Sequence, residues 1–180
     1  MKIRALAAVP VLALMLAGLV TSASAKTVGE VNRPLSEQVR HQLALLPWYG
    51  VFDDLRYQVN GTQVTLSGDV SPLHDQTKYD AEKAVKRIPG VTQVVNDIRV
   101  LPLSRFDDQI RRAEFRTIFS RPGLGRYTLG TIPQIHIIVA NGHVTLEGRV
   151  INEMDRTVAG IAANTVPGVF SVTNNLRVGG

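Results

Sequence analysis

Apolar positions change their period along the chain in a fixed order. Val39, Leu43 and Leu46 fall at helical spacing after Ser36, which fits an N-cap, and Pro47 and Gly50 stop the run. Leu55, Tyr57 and Val59 then alternate with Arg56 and Gln58, the period of a half-buried strand. Asn60-Gly61 is a hairpin turn signal, and Val64 and Leu66 alternate with Thr65 and Ser67 on the return. Gly68 permits a sharp exit or a close approach of backbone. After Ser71-Pro72, Ala81, Ala84, Val85 and Ile88 mark one face of a second helix, closed by Pro89-Gly90. Val94, Ile98 and Val100 mark a third strand. The predicted order is helix, strand, strand, helix, strand.

The same order recurs. Asp107 can cap a helix carrying Ile110, Ala113, Phe115, Ile118 and Phe119, and Ile135, Ile137 and Val139 form a strand. Asn141-Gly142 repeats Asn60-Gly61, and the stretch VTLEGRV at Val144–Val150 repeats VTLSGDV at Val64–Val70. Asn152 can cap a helix with Val158, Ile161, Ala162 and Thr165 on one face. Pro167-Gly168-Val169 matches Pro89-Gly90-Val91, and Val172–Val178 matches Val94–Val100. Matches in one order through five elements identify a duplicated small domain.

The sequence therefore predicts an α+β protein of two tandem αββαβ domains, at residues 35–103 and 104–180. Each is expected to be a three-stranded mixed sheet with two helices on one face. Val64, Leu66, Ala81, Val85 and Ile98 should share the first core, and Val144, Leu146, Val158, Ile161 and Leu176 the second. The second repeat carries about ten extra residues between its helix and first strand, at about 119–133. The joint Leu101–Ser104 is short and partly apolar, so the domains should associate rigidly.

Residues 1–25 read differently. Lys2 and Arg4 precede an apolar run to Val20, and Ala23-Ser24-Ala25 fits a cleavage site, so a secretory signal peptide is expected, removed before Lys26. Residues 26–34 should form a flexible arm. The chain lacks cysteine, which excludes disulfides, thiolate metal sites and a lipoprotein anchor. The expected location is a bacterial periplasm. Residues 35–103 carry net charge −1 and residues 104–180 carry +3, with every base of the second repeat an arginine.

A doubled set of Asn-Gly, VTLSG, PGV and VVNDIRV in this order resembles the BON domain. A tandem pair behind a leader is similar to the osmotically inducible periplasmic protein Y group. The resemblance implies a non-enzymatic module, associated with phospholipid membranes, envelope integrity and stress tolerance, without cofactor. Gly68, Gly90, Gly148 and Gly168 match the family pattern as structural residues. The second-repeat insertion departs from it.

The remaining polar residues carry little recognisable chemistry. His41, His74, His136 and His143 show no metal-ligand spacing, and no carboxylate cluster completes a site. Asp53 and Asp54 are adjacent, so on an extended chain their side chains point apart. No nucleophile elbow or phosphate loop is present. No catalytic residue or metal ligand is thus assigned. Two groups are candidates for contact. Trp48, Tyr49 and Phe52 can plug a core over the sheet, or meet a membrane interface or partner. Arg111, Arg112, Arg116, Arg121 and Arg126 can match phosphate oxygens, as candidate lipid-binding residues partly offset by Asp107, Asp108 and Glu114. The expected function is docking on anionic phospholipid. The alternative is a chaperone-like module that binds other envelope proteins.

Overall fold

A computed structural model describes residues 33–179. The expected leader and most of the expected arm lie outside the described residues. The first half runs α1 (Leu35–Ala44), β1 (Asp54–Asn60), β2 (Gln63–Val70), α2 (Gln76–Lys86) and β3 (Gln93–Val100). The second runs α3 (Arg105–Phe119), β4 (Ile135–Ala140), β5 (His143–Val150), α4 (Glu153–Asn164), β6 (Ser171–Asn174) and β7 (Arg177–Val178). Strand order is β1-β2-β3 and β4-β5-β6, with β7 also on β5. In each half the hairpin is antiparallel and the strand after the helix returns parallel to the central strand. The fold is α+β in two like halves, as the periodicity predicts. The third strand of the second half is interrupted, and β6 and β7 are its two pieces.

The repeated residues do the same work twice. A Cβ on Gly68 would lie 2.0 Å from the Asp54 carbonyl oxygen, and one on Gly148 would lie 2.0 Å from that of Gln134. Their φ values, 114° and 118°, are also left-handed. Glycine is required at both because the hairpin strands approach there backbone to backbone. Asn96 donates to the Lys78 carbonyl of α2 at 3.0 Å, and Asn174 donates to the Arg156 carbonyl of α4 at 2.8 Å. Each amide oxygen accepts from the backbone two residues on, at Ile98 and Leu176. One asparagine per half therefore ties the returning strand to its crossover helix.

The first core holds Val64, Leu66, Ala81, Val85 and Ile98, as expected, with Val39 and Leu43 of α1. The second holds Val144, Leu146 and Leu176, but Val158 is only half-buried and Ile161 is 62% exposed. The buried face of α4 is Asp155, Ala159, Ala162 and Ala163, with Val166 beyond it. Small residues let α4 lie close to α3 and the sheet, and the bulky Ile161 is turned outward. Helix starts also differ from expectation. α1 begins after Pro34 without a side-chain cap, so Ser36 sits inside it. Ser104 caps α3 by accepting from the Asp107 amide, whereas Asn152 caps α4 as expected.

The extra residues of the second half fold inward. Leu124–Thr128 is a 3-10 turn whose Leu124 and Tyr127 are fully buried in the second core. The Tyr127 hydroxyl donates to Asp155 Oδ2 at 2.5 Å and accepts from the Ile151 amide at 2.9 Å. The insertion thus locks the start of α4 to the core.

Candidate functional site

α3 holds most of the arginines that the sequence singles out, and its two faces differ sharply. Asp107, Ile110, Arg111, Glu114 and Ile118 are buried, the i, i+3, i+4, i+7 pattern of a face turned to β4 and α4. Asp107 is released from capping by Ser104. Its carboxylate accepts from the Asn141 amide at 2.9 Å and the Gly142 amide at 2.8 Å, pinning α3 to the β4–β5 turn. Both turn residues have positive φ, 53° and 79°, which the Asn-Gly pair supplies.

Arg111 departs from its expected role. Its guanidinium donates to the Val139 carbonyl at 2.6 Å and to Asp108 Oδ1 at 2.5 Å. It is a buried tie between α3 and β4, not an outward anion contact. Three residues on, Glu114 is fully enclosed, and neither carboxylate oxygen has a hydrogen-bond partner among the described residues. Burial pushes its carboxyl up to about 8, so it is neutral at pH 7.

The outward face is basic. Arg112 and Arg116 are exposed one turn apart, Arg105 continues the stripe toward the N-terminus, and Arg121 is exposed beyond the helix end. None of these four has a carboxylate partner among the described residues. The acids expected to offset them are occupied elsewhere: Asp107 at the turn, Asp108 on Arg111, Glu114 in the core. Arg126 is different again. It pairs with Asp155 and approaches the Tyr127 hydroxyl, so its charge is answered within the protein. The Tyr127 hydroxyl, then Arg126, holds the Asp155 carboxyl below the usual range against its burial.

The three aromatic candidates separate. Tyr49 stacks on His136 with ring centroids 5.5 Å apart, and its hydroxyl accepts from the Leu55 amide. Phe52 meets Phe115 edge-on and packs, with Val51, against the second core. Both therefore join the halves. Trp48 is 58% exposed and stacks on His74.

The junction also gathers titratable groups. His136 meets the Gly50 carbonyl through Nδ1 at 3.2 Å, and burial holds its pKa below the ordinary imidazole value. Asp53 accepts from the Ser71 amide at 2.7 Å and the Gly50 amide at 3.0 Å, yet burial raises its carboxyl. Asp54 is likewise raised by burial, with Arg56 opposing. No helix among the described residues is long and apolar enough to cross a membrane.

A family model described as BON domain matches residues 33–102 and 124–180. α3 lies between the two matched segments. No curated protein matches the sequence. Two solved structures of CdsD, a structural protein of the type III secretion system of Chlamydia trachomatis, are similar at low level. One, of the C-terminal domain, is 14% identical over 81% of this chain and 98% of that one, with a TM-score of 0.31. The other is 14% identical over 81% and 93%, with a TM-score of 0.30.

Proposed function

The chain belongs to the BON domain family, and from that premise we propose that it is an exported, periplasmic module docking peripherally on anionic phospholipid through the outer face of α3. A BON domain suggests a phospholipid-binding or envelope-associated module, and the family is one of non-catalytic binding domains. The observation that carries the finer reading is the sorting of charge on α3. Its exposed arginines lack carboxylate partners among the described residues, while its carboxylates are turned inward. Arginine forks suit phosphate oxygens, and each base near an anionic surface contributes about 1 kcal/mol. Four such bases give weak, reversible, salt-sensitive binding.

Vesicle pelleting tests this. Vesicles of phosphatidylcholine with phosphatidylglycerol should retain the exported chain at low salt and release it as salt rises. Arg112→Gln with Arg116→Gln should abolish most of that binding without loss of fold. Equal pelleting by the double variant and the parent overturns the site. A parent chain that pellets no better with phosphatidylglycerol than without it overturns the lipid reading altogether. The competing reading, binding of other envelope proteins, draws support from exposed Leu45, Trp48 and Leu73 on the first half. Trp48→Ala should leave vesicle binding unchanged if the lipid reading holds.

A further inference from the structure

The two halves differ at one pair of equivalent positions on their sheets. In the first half Asp69 of β2 lies opposite Arg99 of β3, and the two form an ion pair at 2.9 Å. The repeat places Arg149 at the position of Asp69 and Arg177 at that of Arg99. In the second half these two arginines are direct register partners on the parallel strands β5 and β7. Like charges opposite each other on neighbouring strands are destabilising. Nothing within the described residues relieves them, since neither guanidinium has a carboxylate partner. The fold does not itself demand arginine here, because the first half builds the same strand pair with aspartate.

The pair opens on a cleft of about 410 Å³ between the halves, where Asp54, Arg56 and Tyr57 of β1 face Glu147, Arg149 and Arg177. Of the two acids of the cleft, Asp54 holds Arg56 at 3.0 Å, while Glu147 accepts from the Asn175 side-chain amide at 2.8 Å and keeps its charge, which leaves three guanidinium groups against two carboxylates. Arg149 and Arg177 lie on strands about 4.8 Å apart, close enough to share one ligand. Their planar forks match tetrahedral oxyanions bidentately, and a doubly charged phosphate answers both charges at once.

We infer that the cleft between β1 and the Arg149–Arg177 pair binds a phosphate-bearing anion. The site is distinct from the outer face of α3 and does not depend on it. A soluble phosphate and the phosphate of a lipid headgroup present the same chemistry, and experiment separates them.

The test uses the full exported chain, following arginine Nε–Hε and backbone amide NMR signals. Inorganic phosphate, then glycerol 3-phosphate, is added against chloride at matched ionic strength. Shifts should concentrate at Arg149, Arg177 and their strand neighbours. Arg149→Asp, which rebuilds the ion pair of the first half, should weaken the response at least about tenfold. Arg149→Lys should retain part of it, and Arg112→Gln with Arg116→Gln should leave it intact. If Arg149→Asp also weakens binding to phosphatidylglycerol vesicles, the ligand is a headgroup. If vesicle binding is unchanged, the ligand is soluble. Absence of a response to both probes, or a response equal in parent and Arg149→Asp, overturns the inference.

Discussion

β1 and β4 open equivalent hairpins, yet they are buried differently. Arg56 and Gln58 of β1 stay exposed, in strict alternation with half-buried Leu55, Tyr57 and Val59. Ile135 to Val139 of β4 are all buried, on both faces of the sheet. The cause is the segment before β1. Its Val51 carbonyl accepts from the Ile137 amide at 2.7 Å, and Tyr49 and Gly50 cover His136. The free edge of β4 is thereby closed by the other half of the same chain, a protected edge in place of an exposed one. Duplication kept the topology, but the copies became inside and outside of one assembly. The helices repeat the contrast: α1 buries only Val39 and Leu43, whereas α3 buries Asp107, Arg111 and Glu114 beside its isoleucines.

The strongest way to break this comparison is at what the halves share. Gly68→Ala and Gly148→Ala each force a Cβ into a carbonyl oxygen and should each cost about 3–5 kcal/mol in denaturant unfolding. If either is tolerated, the equivalence of the hairpins fails. The next largest effect sharpens the difference between buried and exposed arginines of α3. Arg111→Gln strands Asp108 and the Val139 carbonyl and should cost about 3 kcal/mol, while Arg112→Gln should stay within about 0.5 kcal/mol. Thermal or urea unfolding of the two variants decides it.

Glu114 gives the pH test. Its carboxyl is held up to about 8 in the fold, against about 4.3 in the unfolded chain. Between those values the native state keeps a proton that the unfolded state has lost. Stability should therefore fall as pH rises through that window, by about 1.4 kcal/mol per pH unit at most, and level off above it. Glu114→Gln should remove this slope. A parent and variant with parallel stability–pH curves would refute the buried neutral carboxyl. The smallest effect concerns the sheets. Arg149→Asp should raise stability by about 0.5 kcal/mol, as an exposed pair replaces a repulsion. A calorimetric melting point below that of the parent would break the analogy with Asp69 and Arg99.

Much of the fold is legible in the chain because hairpin turns, alternation and helix stops are set by neighbouring residues. The Asn-Gly turns, the paired glycines and the five residues expected to share the first core follow from local pattern. The misplaced features share one cause. Hydropathy sends charged residues outward and bulky apolar ones inward, so Arg111 and Glu114 were expected on the surface and Ile161 in the core. Packing reverses both where a helix must come close to its neighbours. Glu114 carried no sequence signal beyond falling on the same face as Ile110 and Ile118. The Arg149–Arg177 pair was written in the repeat, at the positions of Asp69 and Arg99, but it becomes visible only once strand register sets those positions side by side.

The sequence by itself determined two αββαβ units, their order of elements, their turns and the arginine-only charge of the second. Each of these depends on spacing within a few residues, which the chain carries directly. Tertiary structure alone decided which arginines of α3 are free, how Tyr49 and Phe52 join the halves, and where the insertion packs. Those outcomes depend on what covers each face, and the covering groups come from residues dozens of positions away: Val139 for Arg111, Gly50 for His136, Asp155 for Tyr127.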